Sequence, residues 1–350
     1  MNDINLNNRQ AQILEIVALD GFSRDEISQK LVLDRQITKI TLIRDLNYLI
    51  KAGKLKTEGI GRGIKYKSNE RKILRVINSD KYFAENSATR KNIKSIFNFK
   101  VFNELNKLFD DVEKKKIENN LINLSSVKSK LDPSLFKREI ERFTVEFAWK
   151  SSKIEGNTYT LLETESLIKN AKEAVGRSKY ESEMILNHKK AIDFILDNSN
   201  SFKKLTIEKV IELHSILIKN LEVTEGIRNG AVAITGTDYV PMSDNVDLKN
   251  ALLKMIDCIN KSDFPLEKAL IALSMVTYIQ AFFDGNKRTA RTLANAILLS
   301  NDYLPLSYRD IDEIDYIKNM ILFYEQSTLF GIKKMLTNQF EFTQKNYFKI

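Results

Sequence analysis

A chain of 350 residues that is 43% apolar can bury a real core and divide into two domains, and its four prolines and twelve glycines favour long helices over many turns. Its one cysteine, Cys258, excludes an internal disulfide framework and a multi-cysteine zinc site, and is read as a buried structural thiol. No stretch has the character of a signal peptide or nears the roughly 18 apolar residues of a membrane span, so a cytoplasmic protein with no membrane partner is expected. The net charge of +9 points to an acidic partner such as nucleic acid, although a lysine-rich composition gives such an excess by itself.

Arg9–Leu19 places Ile13, Leu14, Ile16 and Val17 at helical spacing, and Gly21 ends that helix. Ser23 and Glu26 have the spacing of a capping box for a second, short helix over about Arg24–Leu31. A third helix is predicted from near Ile37 to Ala52, with Ile40, Ile43, Leu46, Leu49 and Ile50 as its apolar stripe and Gly53 at its end. Leu55–Glu58 and Ile64–Lys67 flank the turn Gly59–Gly63 and suit a β-hairpin. Three helices and a hairpin over residues 1–70 resemble a winged helix-turn-helix. In that fold the third helix enters the major groove, so Arg35, Lys39 and Arg44 would face DNA, with Arg62 and Lys65 of the wing on phosphate or the minor groove. The plainer use of such a unit is contact with another protein.

Residues 71–135 read as a polar, helical connecting region, where Lys114–Lys116 form a solvated face. In Phe143–Ile168, Ser151 precedes Glu155 by four positions and Gly156 follows; on a helix the first two share a face. Capping a helix is the ordinary role for such a glutamate. Leu205–Leu217 is a helix carrying His214, and Gly226–Met242 alternates between glycines, which predicts a β-hairpin bearing Val232, Ile234 and Tyr239. Gln280–Arg291 then reads Q-A-F-F-D-G-N-K-R-T-A-R and runs into the helical stretch Leu293–Leu299. A turn opening a helix aims backbone N–H groups, here from Gly285 onward, at whatever sits above it. Arg288 and Arg291 share a face of the first turns, Lys287 lies beside them, and Asp284 is placed to hold a divalent cation. From the residues alone, this is a cradle for a magnesium-bound polyphosphate.

That segment also resembles the signature loop of the Fic (Fido) family, H-x-F-x-[DE]-G-N-[GK]-R-x-x-R, at Phe282, Asp284, Gly285, Asn286, Arg288 and Arg291. S-x-x-x-E-G at Ser151–Gly156 resembles the family's inhibitory motif in its N-terminal arrangement, and the likeness runs from about Tyr82 to Phe340. The resemblance implies a mainly α chain: a Fic-fold helical core over residues 136–345 with a β-hairpin flap, an inhibitory helix near 145–156, and the winged helix in front. It implies transfer of AMP from ATP to a protein hydroxyl, with Mg²⁺ on Asp284. Gly285, Asn286 and Lys287 would lie along the nucleotide, and Arg288 would bind the β- and γ-phosphates. Arg291 would bind the γ-phosphate or, at rest, Glu155. Val232, Ile234 and Tyr239 of the flap would dock the target by strand addition, and the likeness extends to a homodimer.

The family's histidine is Gln280 in this chain. An imidazole accepts the hydroxyl proton at neutral pH; a primary amide has no useful basicity, and losing a general base costs about 10²–10⁴-fold in rate. The remaining histidines, His188 and His214, read as packing or capping residues. Three functions follow: an adenylyltransferase held off by Glu155, an ATP-binding pseudo-enzyme that modulates a DNA-binding head, and a phosphotransferase like the Doc toxins, which also carry N-K-R but are short.

Overall fold

Two separate cores organise the computed structural model, which describes residues 7–17, 21–31, 38–69, 71–90 and 93–348. One unit comprises Met1–Arg90 with Ser327–Gly331, the other Lys91–Gln326 with Ile332–Ile350, so residues 71–90 fold with the first unit.

The first unit contains α1 (Asn8–Ile16), α2 (Arg24–Lys30), α3 (Lys39–Lys51), the hairpin of β1 (Leu55–Glu58) and β2 (Lys65–Ser68), and α4 (Ser79–Ala84). The capping box of α2 is present: Ser23 Oγ accepts the Glu26 N–H at 3.3 Å, and the Glu26 carboxylate accepts the Ser23 N–H at 2.7 Å. Leu55 faces Ser68 and Glu58 faces Lys65 in an antiparallel register. At the hairpin turn Gly59 has φ +95°, and a Cβ there would lie 2.5 Å from the Gly63 carbonyl oxygen, so no other residue fits.

Ile13, Leu14, Val17, Ile27, Leu42, Leu46, Leu49 and Leu55 form this core. The expected stripe of α3 is therefore half wrong. Leu46 and Leu49 are buried, but Ile40 and Ile43 are exposed and Leu42 takes the inward place. The inward face also carries Asp45, which accepts hydrogen bonds from Arg9 and from Gln10 (3.0 Å). A charged residue in the buried row hid it from a reading based on apolar period.

The second unit is helical: α5 (Asp111–Asn119), α6 (Leu124–Lys130), α7 (Pro133–Lys153), α8 (Leu161–Asn170), α9 (Lys179–Asp197) and α10 (Ile207–Ile218) precede a long irregular stretch. Then come α11 (Asn245–Lys261), α12 (Pro265–Ile279), α13 (Asn286–Ser300), α14 (Glu313–Gln326) and α15 (Phe330–Asn346). Nearly every side chain from Leu266 to Ile279 is buried, which makes α12 a core helix, and α13 packs along it. Around this pair stand α9, α10 and α11, with α7 packed on α9 and α13. The chain is mainly helical, as expected, and among the described residues the only sheet is the two-stranded one of the first unit. Among the described residues, no helix is long and apolar enough to cross a membrane.

The irregular stretch departs from expectation. Gly226–Met242 has no paired strands; it runs out, turns at Thr235–Gly236, and returns with Val240 in a parallel bridge to Ile96. The returning arm bonds elsewhere: the Val240 N–H donates to the Ser95 carbonyl (2.8 Å) and Thr237 Oγ1 to Glu325 (2.6 Å). Alternation alone cannot tell a partner in the same hairpin from one outside it.

The packing of α3 gives a direct check. Leu46→Ala should cost the first unit about 2–5 kcal/mol, whereas Ile43→Ala should stay within about 0.5 kcal/mol, measured by urea unfolding with amide exchange read along α3. Equal losses at both positions would mean that Ile43 packs inward.

Candidate functional site

α12 ends because Gln280 turns left-handed (φ 52°, ψ 52°), with its N–H on the Val276 carbonyl at 3.1 Å. The Gln280 side chain folds back, and its Nε2 donates to the Thr277 carbonyl at 2.7 Å. Arg228 fixes the next peptide: its N–H donates to the Ala281 carbonyl (3.0 Å) and its Nε to the Gln280 carbonyl (2.7 Å). The same guanidinium donates to the carbonyls of Gly230 and Met242, so it closes the neck of the irregular stretch against the loop. Burial pulls it below the usual arginine range. Such a buried cation is held by carbonyl dipoles, since each of these acceptors is a backbone oxygen.

The loop that follows is held from inside. The Asn286 side chain accepts the Phe282 N–H (3.0 Å) and donates to the Phe282 carbonyl (2.8 Å), so its amide shapes the turn. The His214 ring stacks on Phe282 with centroids 3.7 Å apart, and its Nε2–H donates to the Asp284 carbonyl at 2.9 Å. Burial holds His214 neutral, down at about 4, despite that bond, with Arg288 adding to the effect. Gly285 (φ +78°) opens α13 where a Cβ would press to 3.0 Å from Ile218. The Asp284 carboxylate, half exposed, accepts from the Gly285 N–H (2.6 Å), Arg288 Nη2 (2.9 Å) and the Tyr180 hydroxyl (3.2 Å).

α13 has no side-chain cap, and among the described residues no acceptor meets the N–H groups of Asn286, Lys287 and Arg288. Three open donors and a positive dipole end, with Lys287 and Arg288 on the same turn, make a site for an anion.

A carboxylate from α7 stands close by. α7 stops at Lys153, so Glu155 sits in the turn beyond it, not on the helical face expected. The N–H groups of Glu155 (2.9 Å) and Asn157 (3.1 Å) both turn to the Ser152 carbonyl, and Gly156 supplies φ +90°. This leaves the Ser151 carbonyl outside the helical ladder, where it accepts Arg291 Nη2 at 2.8 Å. Arg291 is completely buried; its Nε donates to Ser151 Oγ (2.9 Å), its Nη2 also to Glu155 Oε1 (2.7 Å), and its Nη1 to the Tyr316 hydroxyl (3.3 Å). Lys287 Nζ holds the other Glu155 oxygen at 3.0 Å. Burial resists the charge on Glu155, yet Arg291 and Lys287 overcome that and hold it down at about 2.

His188 directs the serine. Its Nδ1–H donates to the Met184 carbonyl at 2.8 Å, so Nε2 is the acceptor for the Ser151 hydroxyl at 2.7 Å. Burial, helped by Arg288 and Arg291, keeps it neutral, down at about 3. The Ser151 oxygen is then free to accept from Arg291.

The structure thus brings together Ser151, Glu155, Gly156, Asp284, Gly285, Asn286, Lys287, Arg288 and Arg291, with Gln280 at the start of the same loop. Val232 and Ile234 are half-buried, but Tyr239 is a core residue whose hydroxyl donates to the Tyr278 carbonyl at 2.8 Å, so its side chain is not on the surface as expected. Lys39, Arg44 and Lys65 of the first unit are exposed; Arg35 and the Arg62 side chain lie outside the described residues. Sequence reading missed Arg228, Tyr180, Tyr316 and the part played by His188. An arginine inside the apolar run G-I-R-N-G-A-V was the one available hint.

Residues 204–298 match the model of the Fic/DOC family. A protein adenylyltransferase Fic of Nematostella vectensis is 30% identical over 187 residues, covering 51% of this chain and 43% of that protein. The protein adenylyltransferase fic-1 of Caenorhabditis elegans is 25% identical over 166 residues, 46% of this chain and 32% of the relative. The chain spans less than half the length of these curated relatives. Among solved structures, residues 134–508 of C. elegans Fic-1 superpose with a TM-score of 0.55 at 17% identity, covering 66% of this chain and 69% of that one. A Fic domain containing signaling protein of Bacteroides thetaiotaomicron gives 0.52 at 22% identity, over 66% and 95%. These two likenesses are of fold.

Because the Glu155 carboxyl lies below its ordinary value of 4.5, its pairing stabilises the fold above that pH and is lost as pH falls towards about 2. The stability gap between the wild type and Glu155→Gln should therefore be flat above pH 5 and shrink below about 4.5, followed by urea midpoints across that range. Parallel profiles would mean that the carboxylate is not ionised by these partners.

Proposed function

We propose that the second unit is a Fic-type site that transfers AMP from ATP to a hydroxyl of a protein and is held at rest by Glu155. One observation carries this reading: a carboxylate bridges Arg291 and Lys287 beside a helix end whose first N–H groups have no acceptor among the described residues. Three cations, Lys287, Arg288 and Arg291, face two carboxylates, so an anionic triphosphate gains most once Glu155 withdraws. The open N–H groups and Arg288 would take phosphate oxygens. Arg291 would pass from Glu155 to the terminal phosphate. Among the described residues no three acidic, histidine or cysteine side chains gather around a metal, but one half-exposed carboxylate, Asp284, suits an ion that brings phosphate and water oxygens with it. Mg²⁺ bound there would offset phosphate charge. In the transfer, the hydroxyl oxygen attacks the α-phosphorus, pyrophosphate leaves, and the hydroxyl proton needs an acceptor. Gln280 can orient a hydroxyl but cannot take its proton, so activity about 10²–10⁴-fold below that of a site with a histidine there is expected.

The second reading, a nucleotide-binding pseudo-enzyme, draws on the Gln280 amide, which is spent on the Thr277 carbonyl. Incubation with α-labelled ATP and Mg²⁺ separates the two. Self-labelling should be weak in the wild type, higher in Glu155→Gly, and strongest when Gln280→His is added. If the double variant stays unlabelled while calorimetry still detects ATP, the pseudo-enzyme reading holds; label from γ-labelled ATP would favour a phosphotransferase.

The first unit we read as a winged-helix head for DNA. Between Thr38 and Lys67 the sequence carries eight lysines and arginines against two carboxylates, so most of the chain's net charge lies on α3 and the hairpin. Duplex binding should weaken steeply with salt, and Lys39→Ala should reduce the slope of that dependence by about one, measured by fluorescence anisotropy. A flat salt response would assign the head to a protein partner.

A further inference from the structure

Folding does not account for the outer face of α3. Ile43 and Arg44 lie three and four residues beyond Ile40, and Asn47 lies four beyond Ile43, so the four share one side of the helix, and all of them are exposed. Ile40 is 64% and Ile43 37% exposed, with Tyr48 beside them at 44%. The opposite side is already complete, with Leu42, Leu46 and Leu49 in the core and Asp45 tied to Arg9 and Gln10. Two wet, β-branched side chains add nothing to that core and are poorer helix formers than leucine or lysine. They stand between Lys39, Arg44 and Lys51, while one carboxylate of this segment is buried against Arg9 and the other, Glu58, lies 3.5 and 3.6 Å from Lys56 and Lys67. An apolar stripe inside a positive field with its acids neutralised suits a polyanion that also presents methyl groups. It does not suit a second apolar protein face, which would bury those cations unpaired.

We infer that α3 reads thymine-bearing base pairs: Ile40 and Ile43 pack on thymine C5-methyl groups, and Asn47 forms the paired hydrogen bonds to an adenine edge. The major groove offers just these features, a methyl on thymine and the N6/N7 pair on adenine; Ile40 and Ile43 lie in the N-terminal half of α3, the part of a reading helix that reaches base edges, and Asn47 is one turn further along the same face. Lys39 and Lys51, at either end of the stripe, would lie towards the phosphates on each side of the groove. This assignment rests on the DNA reading of the head, and it goes further by naming what is read.

The test selects duplexes from a randomised pool with the full chain, then replaces thymine by deoxyuridine in the best binder, which removes only the methyl groups. Affinity of the wild type should fall about fivefold or more on the deoxyuridine duplex. The Ile40→Ala/Ile43→Ala variant should bind both duplexes alike, and Asn47→Ala should relax selection at an adenine; circular dichroism checks that each variant folds. Equal affinity of the wild type for the two duplexes, with steep salt dependence retained, overturns the base-reading assignment and leaves the DNA head standing. No affinity for any duplex, with self-association that the double isoleucine variant abolishes, overturns both and makes the stripe a contact between copies.

Discussion

A guanidinium with no access to water must find its partners inside the protein, and the second unit is arranged around that demand at Arg291. A lone buried charge is costly enough that each of its N–H directions needs an acceptor. The end of α7 supplies most of them, a serine hydroxyl, a main-chain oxygen outside the helical ladder, and a carboxylate in the turn beyond, and Tyr316 adds its hydroxyl. The shape of that helix end follows from the same need. Gly156 allows the tight turn, Ser152 takes the Glu155 N–H that would otherwise claim its neighbour, and His188 orients the hydroxyl.

On the other side of the loop the same logic appears with a different outcome. Arg228 is also buried, but its acceptors are carbonyl oxygens from three stretches of chain, so it works as a brace. It fixes the peptide that follows position 280 and ties the loop to the neck of the irregular stretch. The backbone at this position is therefore set independently of which side chain it carries. An amide at residue 280 alters the chemistry available there while the surrounding geometry persists.

Much of this was legible in the sequence because the determinants are local. The Ser23–Glu26 box, the glycine turns and the D-G-N-K-R run each encode their own backbone within a few residues. What escaped was decided by distant partners. The inward face of α3 was hidden because Asp45 has its partners on α1. The strands of Gly226–Met242 were mispredicted because the returning arm bonds to residues near 95 and 325. Tyr239 looked like a surface aromatic until Tyr278 and Tyr324 were seen to enclose it. Glu155 is expected on a helix, and lies beyond one, because spacing cannot reveal where a helix stops.

The Ser151 carbonyl is released from the ladder because the Glu155 N–H turns to Ser152 instead. With it, the adjoining hydroxyl and the Tyr316 hydroxyl, Arg291 has three anchors that do not involve residue 155 at all. The acidic side chain is thus the one charged partner among four acceptors. Withdrawing that carboxylate would leave α7 wound but the guanidinium held by dipoles alone, a cost that an incoming anion would have to offset.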